Sequence, residues 1–123
     1  MNSKEIAQGT PEWLKARLGC LTASRANDAC AAETTAAYQN YLWQLVAERE
    51  TQIVEESYVN ADMQRGTEKE PIARAAYEAH TRTFVTQTGF WLHPEIPFFG
   101  ASPDGLVGDE GLIEIKCPRT STH

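Results

Sequence analysis

Three side chains near the end of the 123-residue sequence have the types and spacing that metal-dependent hydrolysis requires. Asp104 lies in a Ser-Pro-Asp-Gly turn, and Glu114 and Lys116 follow it two residues apart in an apolar stretch. Because side chains alternate along a strand, Glu114 and Lys116 share one face, about 6.6 Å apart. A hairpin through Gly108-Asp109-Glu110-Gly111 would place Asp104 beside Glu114.

Two carboxylates and an ammonium in one small volume suit Mg²⁺ or Mn²⁺, which prefer oxygen ligands and accept phosphate oxygens. Such an ion polarises a phosphodiester, lowers the pKa of a bound water and stabilises the leaving oxygen. Lys116 would then orient or deprotonate the attacking water. An ordinary alternative stays open, because a Pro-Asp-Gly turn followed by a hairpin with a surface Glu–Lys pair contains the same residues.

The elements that must position these residues begin with helices. Local signals predict four of them. The first starts at Thr10-Pro11-Glu12 and ends near Gly19, and the second runs from Thr22-Ala23-Ser24 to about Cys30. A long periodic helix extends from about Thr35 to Glu50, and the fourth from Asn60 to about His80. In the last of these, Pro71 predicts either a kink or a fresh start.

Strands are predicted after His80, where β-branched and aromatic residues replace the helical pattern. The expected strands are Thr83 to Thr86, Phe90 to Leu92, Leu106-Val107 and Leu112 to Lys116. The predicted fold is therefore α/β (α+β), with N-terminal helices followed by a mixed, mostly antiparallel sheet.

Composition limits the function classes. The net charge of −6 argues against a broad phosphate-binding surface, although a metal site built from carboxylates is acidic and receives its positive field from the ion. No apolar run reaches the roughly 18 residues of a membrane span, and the N-terminus lacks a signal-peptide core. The sequence has three cysteines, an odd number, which argues against a fold held together by disulfides. These features predict a cytoplasmic protein without a membrane partner.

The turn and the Glu-Ile-Lys-Cys-Pro stretch resemble the PD-(D/E)xK nuclease signature, and more narrowly the lambda-exonuclease, or YqaJ-type viral recombinase, family. Further blocks similar to that family occur in the same order across more than 100 of the 123 residues. They are Gly9-Thr10-Pro11-Glu12-Trp13, Arg17-Leu18-Gly19, Thr22-Ala23-Ser24, Arg65 to Glu70, Ala73-Arg74, Tyr77-Glu78 and Gly89-Phe90.

The resemblance implies a restriction-endonuclease-like core and a role for particular residues. Asp104 and Glu114 would be metal-binding carboxylates and Lys116 the catalytic lysine, with the Ile115 carbonyl and Glu70 as further metal ligands.

In the same family resemblance, Arg17 and Ser24 would grip the 5′-terminal phosphate of DNA. An arginine fork and a hydroxyl near a helix start are suitable groups for an anion. Each assignment has an open alternative: Arg17 as a solvated arginine, Ser24 as a helix cap, and Glu70 as a structural acid before Pro71.

The function that the resemblance implies is a Mg²⁺-dependent 5′→3′ exonuclease. It would act on ends of linear double-stranded DNA in phage-type recombination, as a homotrimer that leaves single strands for an annealing protein. An endonuclease of the same superfamily and a non-catalytic DNA-end-binding module remain alternatives. Family members continue well past the lysine strand, whereas this sequence ends at His123. We therefore expect one nuclease domain over residues 1–123 that lacks the C-terminal part of the fold.

Overall fold

The computed structural model describes residues 2–54 and 61–118, except for the side chains of residues 61–63. These residues form two compact units, one from residues 2–54 and 88–102 and the other from residues 61–87 and 103–118. Helices make up most of the chain before residue 82 and short strands predominate after it, which confirms the predicted mixed α+β class. Within the described ranges, no helix is long and apolar enough to cross a bilayer.

The first helix of the first unit begins where the sequence predicts, because its cap is local. Helix α1 spans Pro11–Arg17, and the Thr10 hydroxyl accepts a hydrogen bond from the Trp13 N–H. After a 3-10 turn at Ala23–Arg25 comes the single-turn helix α2, Ala26–Ala29.

The long helix α3 spans Ala36–Thr51, and Thr35 caps it by accepting from the Tyr38 N–H. The bounds predicted for this helix are therefore confirmed to within one residue at each end.

The sheet of the first unit has three short strands: β1 at Leu21–Thr22, β2 at Trp91–Leu92 and β3 at Phe99–Ala101. Strand β3 is central, pairing parallel with β1 and antiparallel with β2. Strand β1 was not predicted, since two residues show no periodicity and its partner is far away in the sequence.

The core of the first unit is small. Its buried apolar side chains are Phe90, Tyr41 and Cys20, at 0%, 3% and 8% exposure. The predicted apolar stripe of α3 contributes only Tyr41 to these fully buried residues, because Leu42 and Val46 are exposed. The Tyr41 hydroxyl accepts the Thr22 N–H at 3.2 Å, which ties α3 to β1.

The second unit begins with helix α4, Ala61–Thr81, which runs through Pro71. The helix does not begin afresh at the proline, although this residue has no N–H to donate to the preceding turn. Asn60, the expected cap, lies outside the described residues.

A hairpin follows in the second unit, formed by β4 at Gly105–Val107 and β5 at Gly111–Ile113. The turn between them is the predicted one, and Gly108 has the positive φ of 62° that favours glycine. The strand predicted from Thr83 to Thr86 is wrong, because only Thr86 pairs, in an isolated bridge to Leu106.

Strand β5 also ends earlier than predicted, at Ile113 rather than at Lys116. In the observed register, the next pairs would be Asp104 with Glu114 and Pro103 with Ile115. Proline has no N–H for the ladder, so regular pairing stops there. Residues 114–118 lie outside the sheet.

Candidate active site

Asp104 is held at the start of the hairpin by two hydrogen bonds. Its backbone N–H donates to the Ile113 carbonyl at 3.1 Å, and its Oδ2 accepts the Ile115 N–H at 2.7 Å. A hydrogen bond to an ionised carboxylate is stronger than a neutral one. The carboxylate therefore satisfies the Ile115 N–H beyond the end of the ladder, and it fixes the backbone between Glu114 and Lys116.

Glu70, on helix α4, is a neighbour of Asp104. Burial raises the pKa of Glu70, and the negative charge of Asp104, together with a side-chain hydrogen bond to it, raises this pKa further. The charge and the hydrogen bond of Arg74 oppose the shift. Two carboxyl groups thus lie close together, and both burial and the charge of Asp104 disfavour ionisation of Glu70.

Arg74 accompanies this carboxylate pair. Its Nη2 lies 3.0 Å from Glu70 Oε1, and the two side chains are only 13% and 31% exposed. Arg74 Nε is buried and has no hydrogen-bond partner in the part of the chain that the structure describes. A role for Arg74 was not predicted, although its four-residue spacing from Glu70 is the spacing of a helical ion pair.

Glu114 and Lys116 pair with each other at the surface. Lys116 Nζ lies 3.1 Å from Glu114 Oε1, and the side chains are 79% and 53% exposed for lysine and glutamate, respectively. An exposed pair of this kind contributes little to stability, so both side chains can rearrange readily. This contact is the one that the ordinary hairpin alternative predicts, and it also leaves both groups accessible to a ligand.

The predicted metal ligands are brought together only in part. Among residues 2–54 and 61–118, no three His, Cys, Asp or Glu side chains are grouped closely enough to hold an ion. Glu70 is next to Asp104, whereas the Glu114 carboxylate is turned to Lys116.

The donor chemistry nevertheless fits a divalent cation. Carboxylate oxygens are hard ligands of the kind that Mg²⁺ and Mn²⁺ prefer, and a cation would relieve the repulsion between Glu70 and Asp104. Glu114 follows the last ladder pair, directly opposite Asp104 in the register. Its exposed side chain is free to rotate away from Lys116 and supply a further carboxylate.

Arg17 lies at the end of α1 in the first unit and is not a solvated surface arginine. Its guanidinium stacks on the Trp13 ring at 4.2 Å, and its buried Nε has no hydrogen-bond partner within the described residues. Burial lowers the pKa of Arg17, while the neighbouring Tyr41 and Glu48 raise it. The group stays a cation at neutral pH and has hydrogen-bonding capacity to spare.

Ser24 is exposed in the 3-10 turn before α2. Its Oγ lies 3.1 Å from Thr22 Oγ1, and the Thr22 N–H donates to Tyr41, the residue that also interacts with Arg17. Both predicted phosphate-binding residues thus belong to the first unit, where Arg17 interacts with Tyr41 directly and Ser24 is linked to it through Thr22. Glu70, Asp104, Glu114 and Lys116 belong to the second unit.

The chain is similar to known proteins both in sequence and in structure. Residues 12–123 match the model of the YqaJ-like viral recombinase domain. The structure is similar to that of an alkaline exonuclease (LHK-Exo) from Laribacter hongkongensis, with 55% sequence identity and a TM-score of 0.83 over 92% of this chain and 56% of that chain. It is equally similar to LHK-Exo in complex with dAMP, at 56% identity and a TM-score of 0.84, with coverage of 92% and 56%.

No curated protein sequence matches the chain significantly. The chain spans 56% of the length of the solved exonuclease and shares its mixed α+β fold. The match to the family over residues 12–123, more than half of the sequence, together with the likeness to the exonuclease, is decisive. The chain belongs to the YqaJ-like viral recombinase domain family.

Proposed function

We propose that this chain carries the catalytic residues of a metal-dependent exonuclease, which hydrolyses phosphodiesters from the 5′ ends of linear double-stranded DNA. The observation that carries the proposal is the carboxylate pair Glu70 and Asp104, joined through Ile115 to the segment with Glu114 and Lys116. The likeness to an alkaline exonuclease that was crystallised with dAMP supports it, since dAMP is a deoxymononucleotide.

The residues that would hold Mg²⁺ or Mn²⁺ are Asp104, Glu114, Glu70 and the carbonyl group of Ile115. A divalent cation bound there supplies positive charge against the phosphate oxygens and lowers the pKa of a bound water. Asp104 contributes most to the orientation of the metal ligands, because the Ile115 N–H holds its carboxylate in a fixed direction.

Lys116 orients the attacking water, since its exposed ammonium has donors to spare beyond the contact with Glu114. The water oxygen forms a bond to phosphorus, and the bond from phosphorus to the 3′ oxygen of the terminal nucleotide breaks. That oxygen takes up a proton and the nucleotide leaves, while the shortened strand keeps a new 5′ phosphate. Each cycle therefore regenerates the end that the next cycle requires.

Arg17 and Ser24 bind that 5′-terminal phosphate. Stacking on Trp13 presents the planar guanidinium fork of Arg17, which matches phosphate geometry, and the Ser24 hydroxyl adds a donor. This local arrangement offsets the unfavourable net charge of −6. A homotrimer, an annealing partner, a cytoplasmic location and a single domain over residues 1–123 stay predictions from the sequence.

A non-catalytic DNA-end-binding module is the second candidate. The ion pair between Glu114 and Lys116 favours it, as does the lack of a three-carboxylate group among the described residues. In such a module the Arg17 site would bind DNA ends without cleavage.

Incubation of the purified protein with Mg²⁺ and a 5′-phosphorylated linear duplex tests these alternatives. We expect release of mononucleotides, and a loss of about a hundredfold or more in Lys116→Ala and in Glu114→Ala. Glu110→Ala, which alters an exposed glutamate in the hairpin turn, is the matched control and should cleave normally.

Other outcomes separate the candidates. Cleavage that persists in Lys116→Ala would refute the proposed site. Binding of DNA ends without cleavage in Mg²⁺ or Mn²⁺ would identify the module, and cleavage of closed circular DNA would identify an endonuclease.

A further inference from the structure

The segment from Glu114 to Cys117 is held by side chains rather than by a sheet. Strand β5 ends at Ile113, and residues 114–118 pair with no strand in the part of the chain that the structure describes. One attachment is the hydrogen bond from the Ile115 N–H to Asp104 Oδ2 at 2.7 Å. The second is made by Arg65, whose Nη2 donates to the Cys117 carbonyl at 2.9 Å. Lys116 lies between the two attachment points.

Arg65 is well suited to hold this segment. It lies on helix α4, an element that is 21 residues long, and its side chain is half-buried. A hydrogen bond from a charged guanidinium to a carbonyl is stronger than a neutral one. The bond joins residues that are 52 positions apart in the sequence, so it fixes the segment relative to the helix that also carries Glu70.

The Lys116 side chain depends on this backbone for its position. It is 79% exposed, and its ion pair with Glu114 joins it only to another residue of the same segment. Contacts of the side chain itself therefore do not fix Lys116 against the rest of the unit. The attachments at Ile115 and Cys117 do.

We propose that Arg65 is a positioning residue for Lys116. By holding the Cys117 carbonyl, it keeps the ammonium where an attacking water is to be oriented, and it does not itself touch the substrate. The inference rests on the proposed function, because it requires Lys116 to act in cleavage. Of these two attachments, loss of the one made by Arg65 leaves the one made by Asp104, on the side of Lys116 that precedes it in the chain.

The expected effect falls on kcat. A displacement of a catalytic group by about 1 Å lowers a rate by up to about a hundredfold, so Arg65→Gln should reduce kcat by about ten- to a hundredfold. A residue that acts through the position of Lys116 should leave KM for the duplex and the Mn²⁺ dissociation constant from calorimetry within about twofold of the wild type. Arg65→Lys keeps the charge and a donor, and should restore part of the rate.

The control is Lys69→Gln, which removes an exposed positive charge one turn further along the same helix. It should leave kcat unchanged. A double variant gives the decisive readout: if Arg65 acts through Lys116, Arg65→Gln should change the residual rate of Lys116→Gln by less than about twofold.

Several results would overturn the inference. One is a loss of kcat on adding Arg65→Gln to Lys116→Gln that is as large as the loss caused by Arg65→Gln alone. Another is a weakening of Mn²⁺ binding in proportion to the loss of kcat. The third is unfolding of both Arg65 variants in thermal denaturation. The proposed function fails separately, if Lys116→Gln alone leaves cleavage intact. If Lys116→Gln abolishes cleavage and Arg65→Gln does not lower kcat, only the role of Arg65 is refuted.

Discussion

Substitution of Asp104 by asparagine and by alanine separates the two roles of this side chain. Asparagine keeps an oxygen that can accept the Ile115 N–H, now 2.7 Å from Oδ2, but it removes the negative charge beside Glu70. Alanine removes both the acceptor and the charge. The two variants should therefore differ in stability and agree in their loss of metal binding.

The magnitudes follow from the hydrogen bond. A hydrogen bond to a charged group contributes about 1.5–3 kcal/mol and a neutral one about 0.5–1.5 kcal/mol. Without metal, Asp104→Ala should lower the free energy of unfolding by about 1.5–3 kcal/mol. Asp104→Asn should stay within about 1 kcal/mol of the wild type, because a weaker hydrogen bond is offset by relief of the repulsion on Glu70.

Urea unfolding in EDTA and in excess Mn²⁺ measures both effects. At a concentration a hundred times its dissociation constant, Mn²⁺ should stabilise the wild type by about 2.7 kcal/mol and should stabilise neither Asp104 variant. Asp109→Asn, in the exposed hairpin turn, is the matched control and should behave like the wild type. Equal instability of the two Asp104 variants, or full Mn²⁺ stabilisation of Asp104→Asn, would refute this reasoning.

Three further predictions concern packing. Phe90 is 0% exposed and Phe84 is 90% exposed. Phe90→Ala should therefore lower the free energy of unfolding by about 3–5 kcal/mol, and Phe84→Ala by less than about 0.5 kcal/mol. Similar losses in the two variants would contradict the assigned core. A Cβ at Gly105 would overlap a valine side chain, so Gly105→Ala should lower the free energy of unfolding in urea by about 1–3 kcal/mol. Gly66 lies in open space on α4, so Gly66→Ala should raise this free energy by about 0.5–1 kcal/mol. The reverse order of stability would show that the hairpin packs differently. Burial raises the pKa of the Cys20 thiol. Iodoacetamide should therefore modify Cys20 at least about tenfold more slowly in the folded protein than in urea, as followed by mass spectrometry. Equal rates would exclude the burial of this thiol.

Local signals were sufficient for much of the fold. The capping threonines Thr10 and Thr35 fix the starts of α1 and α3 with hydrogen bonds to residues three positions ahead. The hairpin turn after Val107 needs a glycine with positive φ, and the sequence supplies one at Gly108. Such features depend on a few consecutive residues, so the sequence predicts them well.

Features that depend on a distant partner were missed. Strand β1 has only two residues and exists because β3 pairs with it. The apolar pattern from Leu112 to Ile115 continues past Ile113, but the ladder stops because the opposite residue would be Pro103. On α3, Leu42 and Val46 of the apolar stripe stay exposed, since burial depends on which element packs against the helix.

The candidate site shows the same division. Asp104 was recognised from its turn and Glu114 and Lys116 from their spacing, whereas Glu70 was assigned from the family resemblance alone. The contact between Arg65 and Cys117 joins residues 52 positions apart and has no local signature. Arg74 was likewise visible only as a residue four positions after Glu70.

Diffraction from crystals grown with Mn²⁺, with data collected at the manganese absorption edge, tests the central claim most directly. We expect one anomalous peak in contact with carboxylate oxygens of Asp104 and Glu114, with Lys116 released from its ion pair with Glu114. A structure at saturating Mn²⁺ in which Glu114 still pairs with Lys116, and in which no peak lies beside Asp104, would contradict the account.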